Sequence, residues 1–161
     1  MLALALSLGC PAAAILAPSA AVAETAAPAA ATADEKPREV AFEPFDDKAF
    51  TAAQKSGAPF VLYFEADWCL PCEEMHARTL RDPAVLEAAG GVRFLRVDMT
   101  KPDRYVDLIR ESFRVIGAPT CVFFGPDGKE KARRFGFIPP ADFVSMIAAA
   151  RGTAGSAPPV P

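Results

Sequence analysis

The chain has 161 residues, 52% of them apolar but only 9% aromatic, with a net charge of −3 at pH 7 and no block of Lys or Arg. An acidic balance of this kind disfavours nucleic acid and anionic membrane surfaces as partners. The length excludes a multidomain enzyme within this chain, and a single long uncharged apolar stretch excludes a multi-span membrane protein.

The apolar excess is unevenly placed. Residues 1–33 hold 15 alanines, one acid (Glu24) and no Lys or Arg, whereas all 12 phenylalanines lie between Phe42 and Phe143. Met1–Ala23 is uncharged, is interrupted by Pro11 and Pro18, and ends in Ala21-Val22-Ala23, the small-x-small pattern that signal peptidase reads. A cleaved signal peptide over 1–23 is therefore expected, although the usual basic residues at its start are missing; a retained anchor is the competing reading. Ser7-Leu8-Gly9-Cys10 is an imperfect lipoprotein box, which makes Cys10 a candidate for lipid attachment. Residues 24–40 are rich in Ala, Pro and Thr without an apolar period and predict a flexible linker. Residues 152–161, with Pro158, Pro159 and Pro161, predict a disordered tail. A single domain is expected over 41–151.

Within that domain the elements follow one another legibly. Phe45, Ala49, Phe50 and Ala53 predict an amphipathic helix ended at Gly57. Phe60–Phe64 is a continuous apolar run, as expected of a strand buried on both faces. A helix opens at Asp67-Trp68-Cys69-Leu70-Pro71-Cys72 and runs to about Arg81, with Pro71 in the first turn, where a missing N–H costs nothing. Val92–Val97 predicts a second buried strand, and Tyr105, Leu108, Ile109 and Phe113 another amphipathic helix. Thr120–Phe124 and Glu130–Phe137 flank Gly125-Pro126-Asp127-Gly128 as a hairpin. Phe143, Met146, Ile147 and Ala150 stripe a closing helix. The order α-β-α-β-α-β-β-α predicts an α/β fold whose mixed sheet is parallel at first and gains an antiparallel hairpin.

Chemistry concentrates at Cys69-x-x-Cys72. Disulfide exchange needs a thiolate, and a helix N-terminus supplies unpaired N–H groups and partial positive charge that lower a cysteine pKa. A second thiol three residues on can resolve a mixed disulfide before the partner diffuses away. The preceding apolar strand and Trp68 are expected to leave only Cys69 presented. Two other uses compete. Cys69, Cys72 and His76 read C-x2-C-x3-H, but no second ligand pair has zinc spacing. A structural disulfide across two residues closes too small a loop to stabilise much. Redox exchange is the expected use, with the sulfurs themselves as the reactive centre and no metal or nucleotide implied. Pro119, in Ile116-Gly117-Ala118-Pro119-Thr120, stands where a strand ladder would lose a donor. A cis Ala118–Pro119 bond and a trans proline opening an edge strand both account for it. Cys121 is expected to be a buried, inert thiol, and Glu73 and Glu74 to complement the helix dipole.

Residues 43–150 resemble the thioredoxin superfamily. Ala66-Asp67-Trp68-Cys69-Leu70-Pro71-Cys72 is similar to its W-C-x-x-C active site, and Gly117-Ala118-Pro119-Thr120 to its cis-proline loop. Thr79-Leu80-Arg81-Asp82-Pro83-Ala84-Val85 looks like a segment of one subgroup, the C-terminal periplasmic domains of the membrane thiol:disulfide interchange reductases (DsbD). Arg96-Val97-Asp98-Met99-Thr100, Phe123–Gly128 and Gly136-Phe137 are similar to that subgroup too. The resemblance implies a thioredoxin fold and a dithiol–disulfide oxidoreductase. Cys69 would attack, Cys72 would resolve, Ala118 and cis-Pro119 would present backbone to the substrate chain, and Trp68 would shape the surface.

Two positions depart from the pattern. The buried acid found in many thioredoxins six residues before the first cysteine is Tyr63 here, and Glu65, on the same strand face, is the candidate substitute. The subgroup's acid in the active-site helix is His76 here, four residues after Cys72 on the same helix face and able to shuttle a proton near neutral pH. Pro71 before the second cysteine resembles the reducing thioredoxins. The expectation is thus an exported, periplasmic, monomeric reductase of protein disulfides, recharged by a membrane electron donor. A disulfide oxidase or isomerase, and a non-catalytic binding or chaperone module on the same scaffold, are the alternatives.

Overall fold

The computed structural model describes residues 39–101 and 103–152. The expected signal peptide, Cys10, residues 24–38 of the expected linker and the tail from 153 lie outside the described residues. Element order is β1 (Glu43–Pro44), α1 (Asp47–Lys55), β2 (Phe60–Glu65), α2 (Leu70–Glu74) running into a π-helical turn (Met75–Thr79), α3 (Pro83–Ala88), β3 (Arg93–Asp98), α4 (Arg104–Ser112), β4 (Thr120–Phe124), β5 (Glu130–Phe135) and α5 (Pro140–Arg151).

The five strands form one sheet in the order β1-β3-β2-β4-β5. β1, β3 and β2 are parallel, β4 runs antiparallel to β2, and β5 runs antiparallel to β4 as the second arm of the hairpin. The mixed sheet is the one the element order implied. β2 is central because all of Phe60–Phe64 is buried, so neither of its faces meets water. Side-chain alternation along β2 and β4 then builds two cores. Val61, Tyr63, Cys121 and Phe123 pack with Met75, Leu80, Val85, Phe143 and Ile147 on one side. Phe60, Leu62, Phe64, Val122 and Phe124 pack with Ala53 and the α1 and α4 side chains Phe50, Val106 and Ile109 on the other. The exposed edge is β5, whose charged Glu130, Lys131, Arg133 and Arg134 discourage pairing with another chain.

Several boundaries differ from expectation, each for a tertiary reason. The helix expected to reach Arg81 leaves α-geometry after Glu74. Leu80 N–H donates to Met75 O at 2.9 Å, closing a wider turn. Ile138 holds that turn: its carbonyl accepts from Thr79 Oγ1 at 2.6 Å, and its N–H meets Met75 Sδ at 3.2 Å. Asp82 then caps a separate helix, α3, accepting from Ala84 N–H at 2.8 Å, with Pro83 in the first turn. β1 was not foreseen, since two residues carry no periodicity; it exists through pairing with β3. β5 stops at Phe135 rather than Phe137 because Gly136 turns the chain at φ +85° and donates to Pro119 O at 2.8 Å. Glu39 and Val40, expected in the linker, belong to the domain: Val40 is 6% exposed, and its N–H donates to Leu80 O at 2.9 Å.

Candidate active site

β2 ends at Glu65, and the chain turns through Ala66–Trp68 into α2. Asp67 N–H donates to Thr100 Oγ1 at 2.9 Å, tying this turn to the segment after β3. Cys69 is the N-cap of α2, and its Sγ accepts from Cys72 N–H at 3.2 Å. Pro71 sits in the first turn, where its ring removes no helical hydrogen bond. Cys69 and Cys72 form a disulfide with Cα atoms 5.2 Å apart.

Burial does not distinguish the two sulfurs, contrary to the expectation that only Cys69 would be presented: each residue is 3% exposed. Trp68 does not wall off Cys72 either, because it stands 66% exposed. What separates the cysteines is electrostatic. The N-cap position aims the helix N-terminus, with its free N–H groups, at Cys69 Sγ, whereas Cys72 lies inside the first turn.

The Ala118–Pro119 bond is cis. Its loop is closed by Thr120 Oγ1 donating to Gly117 O at 2.6 Å. Gly117 packs closely under Phe135: an added Cβ would lie 3.0 Å from its ring and press it outward. Ala118 packs on the cluster that contains both cysteines. Trp68, Ile116 and Gly117 line one cleft of about 280 Å³ beside the disulfide turn. Ile116 is 81% exposed at its lip. Trp68 and the cis-proline loop are thus brought together, as a substrate-facing surface requires.

Behind the disulfide lies a second cavity of about 300 Å³ lined by Cys72, Glu65, His76 and Arg96, with Asp67 and Glu73 at its rim. Both proton-handling candidates therefore line the same cavity as the resolving cysteine. His76, in the π-helical turn rather than on a regular α-helix, bridges two carboxylates. Its Nε2 lies 2.6 Å from Glu65 Oε2 and its Nδ1 2.5 Å from Glu39 Oε1. Arg96 stands 3.3 Å from Glu65 Oε1, and Arg81 Nε donates to Glu39 Oε2 at 3.0 Å. The Glu65 hydrogen bond raises the His76 pKa above the usual imidazole value; burial opposes this and Glu39 reinforces it. For Glu39 burial pushes upward, but the hydrogen bonds from His76 and Arg81 outweigh it and hold the carboxyl below the ordinary range. Glu39 was missed because an acid closing the charged run Asp34–Glu39 has no spacing that links it to the cysteines.

Tyr63 fills the position six before Cys69 with a phenol. It is 1% exposed, and its hydroxyl is the buried side-chain polar atom left without a hydrogen-bond partner among the described residues. Burial pushes its pKa far up, so it cannot replace an acid as proton acceptor. An unpaired buried hydroxyl costs about 1–3 kcal/mol, so Tyr63→Phe is expected to leave stability unchanged or raise it by about 1 kcal/mol. A fall of more than about 1 kcal/mol in urea denaturation would contradict this. Cys121, opposite Tyr63 in the sheet, is a free, buried thiol whose pKa burial pushes well up. No three His, Cys, Asp or Glu side chains are placed to hold a metal ion among the described residues.

A model of the thioredoxin-like domain matches residues 46–151. The chain belongs to the thioredoxin-like family. Its mixed sheet flanked by helices is the thioredoxin fold, and it is similar to the reduced C-terminal domain of Neisseria meningitidis DsbD: 29% identity, TM-score 0.59, covering 68% of this chain and 100% of that one. A thioredoxin from Thermus thermophilus is similar at 27% identity and TM-score 0.57, over 68% of this chain and 85% of that one. Among curated proteins, the thiol:disulfide interchange protein DsbD of Klebsiella pneumoniae is 37% identical over 97 residues, 59% of this chain. That of Ralstonia nicotianae is 34% identical over 113 residues, 70% of this chain. The chain spans under a fifth of these relatives' length, 16% and 19%. A Cys69–Cys72 disulfide on this fold, in a chain similar to interchange proteins, supports a thiol:disulfide oxidoreductase.

Proposed function

We propose that this protein is an exported reductase of protein disulfides in the bacterial periplasm. The observation that carries the reading is the Cys69–Cys72 pair with Cys69 Sγ as N-cap acceptor of α2. In the reduced protein the helix N-terminus favours the Cys69 thiolate over the thiol. That thiolate attacks one sulfur of a substrate disulfide, forming a mixed disulfide and expelling the other substrate sulfur as thiolate. Cys72 then loses its proton and attacks Cys69 Sγ. The second substrate thiolate leaves, Cys69–Cys72 is restored, and two electrons have passed to the substrate. A membrane-bound dithiol donor completes the cycle, since an oxidising compartment does not return the pair to the dithiol form.

The remaining site residues divide the supporting work. Ala118 and cis-Pro119 offer backbone to the substrate chain, and Trp68 and Ile116 flank the cleft that receives it. Glu65 and His76 take up the proton of Cys72, from the cavity all three line. Residues 1–23 direct export, with Cys10 an alternative point of lipid attachment, and the following stretch tethers a monomeric domain. No helix among the described residues is long and apolar enough to cross a membrane.

Equilibration with glutathione buffers tests the reading. The pair is expected to have a reducing potential, nearer thioredoxin at about −270 mV than strong oxidants at about −120 mV. A value close to the latter would overturn the reductase direction, and a pair that never exchanges with dithiols would overturn the redox role altogether.

A further inference from the structure

We propose that Glu39, His76 and Glu65 form a proton relay that connects Cys72 to solvent and sets the rate of the resolving step. The inference rests on the exchange reading above and adds to it a residue, Glu39, from the segment before β1.

The geometry is that of a wire with graded exposure. Cys72 is 3% exposed, the Glu65 side chain 12%, and those of His76 and Glu39 30% and 28%. At the inner end Glu65 and Cys72 line one cavity of about 300 Å³, roomy enough for bridging water. The outer end reaches bulk water. Both imidazole nitrogens lie against carboxylate oxygens, at 2.6 and 2.5 Å, so His76 rests as the imidazolium with an N–H donated to each.

When Cys72 S–H becomes the attacking thiolate, its proton passes to the Glu65 carboxylate. Neutralising Glu65 removes the anion that holds the imidazolium, so His76 Nδ1 gives its proton to Glu39, which releases it to water. One proton has then reached solvent, Glu65 holds that of Cys72 beside a neutral His76, and the thiolate charge leaves with the substrate sulfur. In the oxidising direction the same steps run backwards.

The surrounding charges suit the task. Arg96 lies 3.3 Å from a Glu65 oxygen and Arg81 3.0 Å from a Glu39 oxygen, setting a cation against each carboxylate. Asp67 and Glu73 lie at the cavity rim, and buried Tyr63 and Cys121 on the sheet side stay neutral. Glu39 never touches a sulfur, so it is a positioning residue that acts through His76. Its own position is secured by the neighbouring backbone bond from Val40 N–H to Leu80 O.

The test uses the reduced protein with an aromatic disulfide, 5,5′-dithiobis(2-nitrobenzoate), which releases one coloured thiolate on attack by Cys69 and a second on resolution by Cys72. Glu39→Gln keeps an acceptor for His76 Nδ1 but cannot take its proton. The first release is expected to be unchanged and the second to slow by about tenfold or more below pH 7. Its rate should then rise with pH towards the thiol's own ionisation, while the unaltered protein shows a flatter profile. Glu39→Asp should recover part of the loss. A second release with unchanged rate and pH profile in Glu39→Gln overturns the relay, and so does equal slowing of both releases, which marks a structural role. Failure of both releases in the unaltered protein would instead remove the exchange reading itself.

Discussion

A Cys72→Ser variant is expected to stop half-way through its reaction. Cys69 keeps its N-cap position and the N–H of residue 72, so attack on a substrate disulfide proceeds. Without a resolving thiol the mixed disulfide accumulates, and intact-mass analysis should show the variant joined to one substrate per chain. Cys69→Ser is expected to form no adduct and to lose at least about 1,000-fold in disulfide reduction, because a serine hydroxyl at that helix end is not ionised near neutral pH. The opposite pattern, adducts with Cys69→Ser and none with Cys72→Ser, would invert the assigned roles. Full activity in the double variant would favour a binding module over an oxidoreductase. Proteins trapped on Cys72→Ser in the native host would name the substrates.

The largest stability effect is expected at Phe60. Its side chain is fully buried, stacks on Phe124 at 4.6 Å and meets the edge of Phe50 at 5.8 Å. Phe60→Ala removes those contacts and leaves a cavity between β2 and α1 that neighbouring rings cannot fill, at a cost of about 3–5 kcal/mol. Domains of this size have about 5–15 kcal/mol in all, so a third or more of the stability is at stake. Urea denaturation should show a lower midpoint with an unchanged slope. Phe135→Ala provides the contrast: with 54% of the residue exposed, the expected loss is within about 1 kcal/mol. Equal losses at the two positions would contradict the account of the core.

The elements that could be read in advance are those whose own residues carry the signal. The unbroken run Phe60–Phe64 announces a strand with two buried faces, because only such a strand needs apolar groups at every position. Asp127 and Gly128 announce the hairpin, since the turn demands φ +69° at Gly128. The break in the active-site helix was illegible for the opposite reason. Met75–Thr79 has no sequence mark of a π-turn; Ile138, 59 residues beyond Thr79, imposes it through two hydrogen bonds.

The site divides along the same line. Cys69, Cys72 and Pro71 lie within four residues, so their spacing alone places two sulfurs at a helix start and states the chemistry. His76 and Glu65 could be nominated from helix and strand periodicity, but not joined. Joining them required β2, the π-helical turn and the residues before β1 to meet on one face of the sheet, which brings Glu39 to His76 across 37 positions of chain. Local spacing determined that the protein exchanges disulfides, because that reaction needs only two thiols and a helix end. Tertiary structure decided that Glu39, His76 and Glu65 meet beside Cys72, because contact between distant residues is made only by folding.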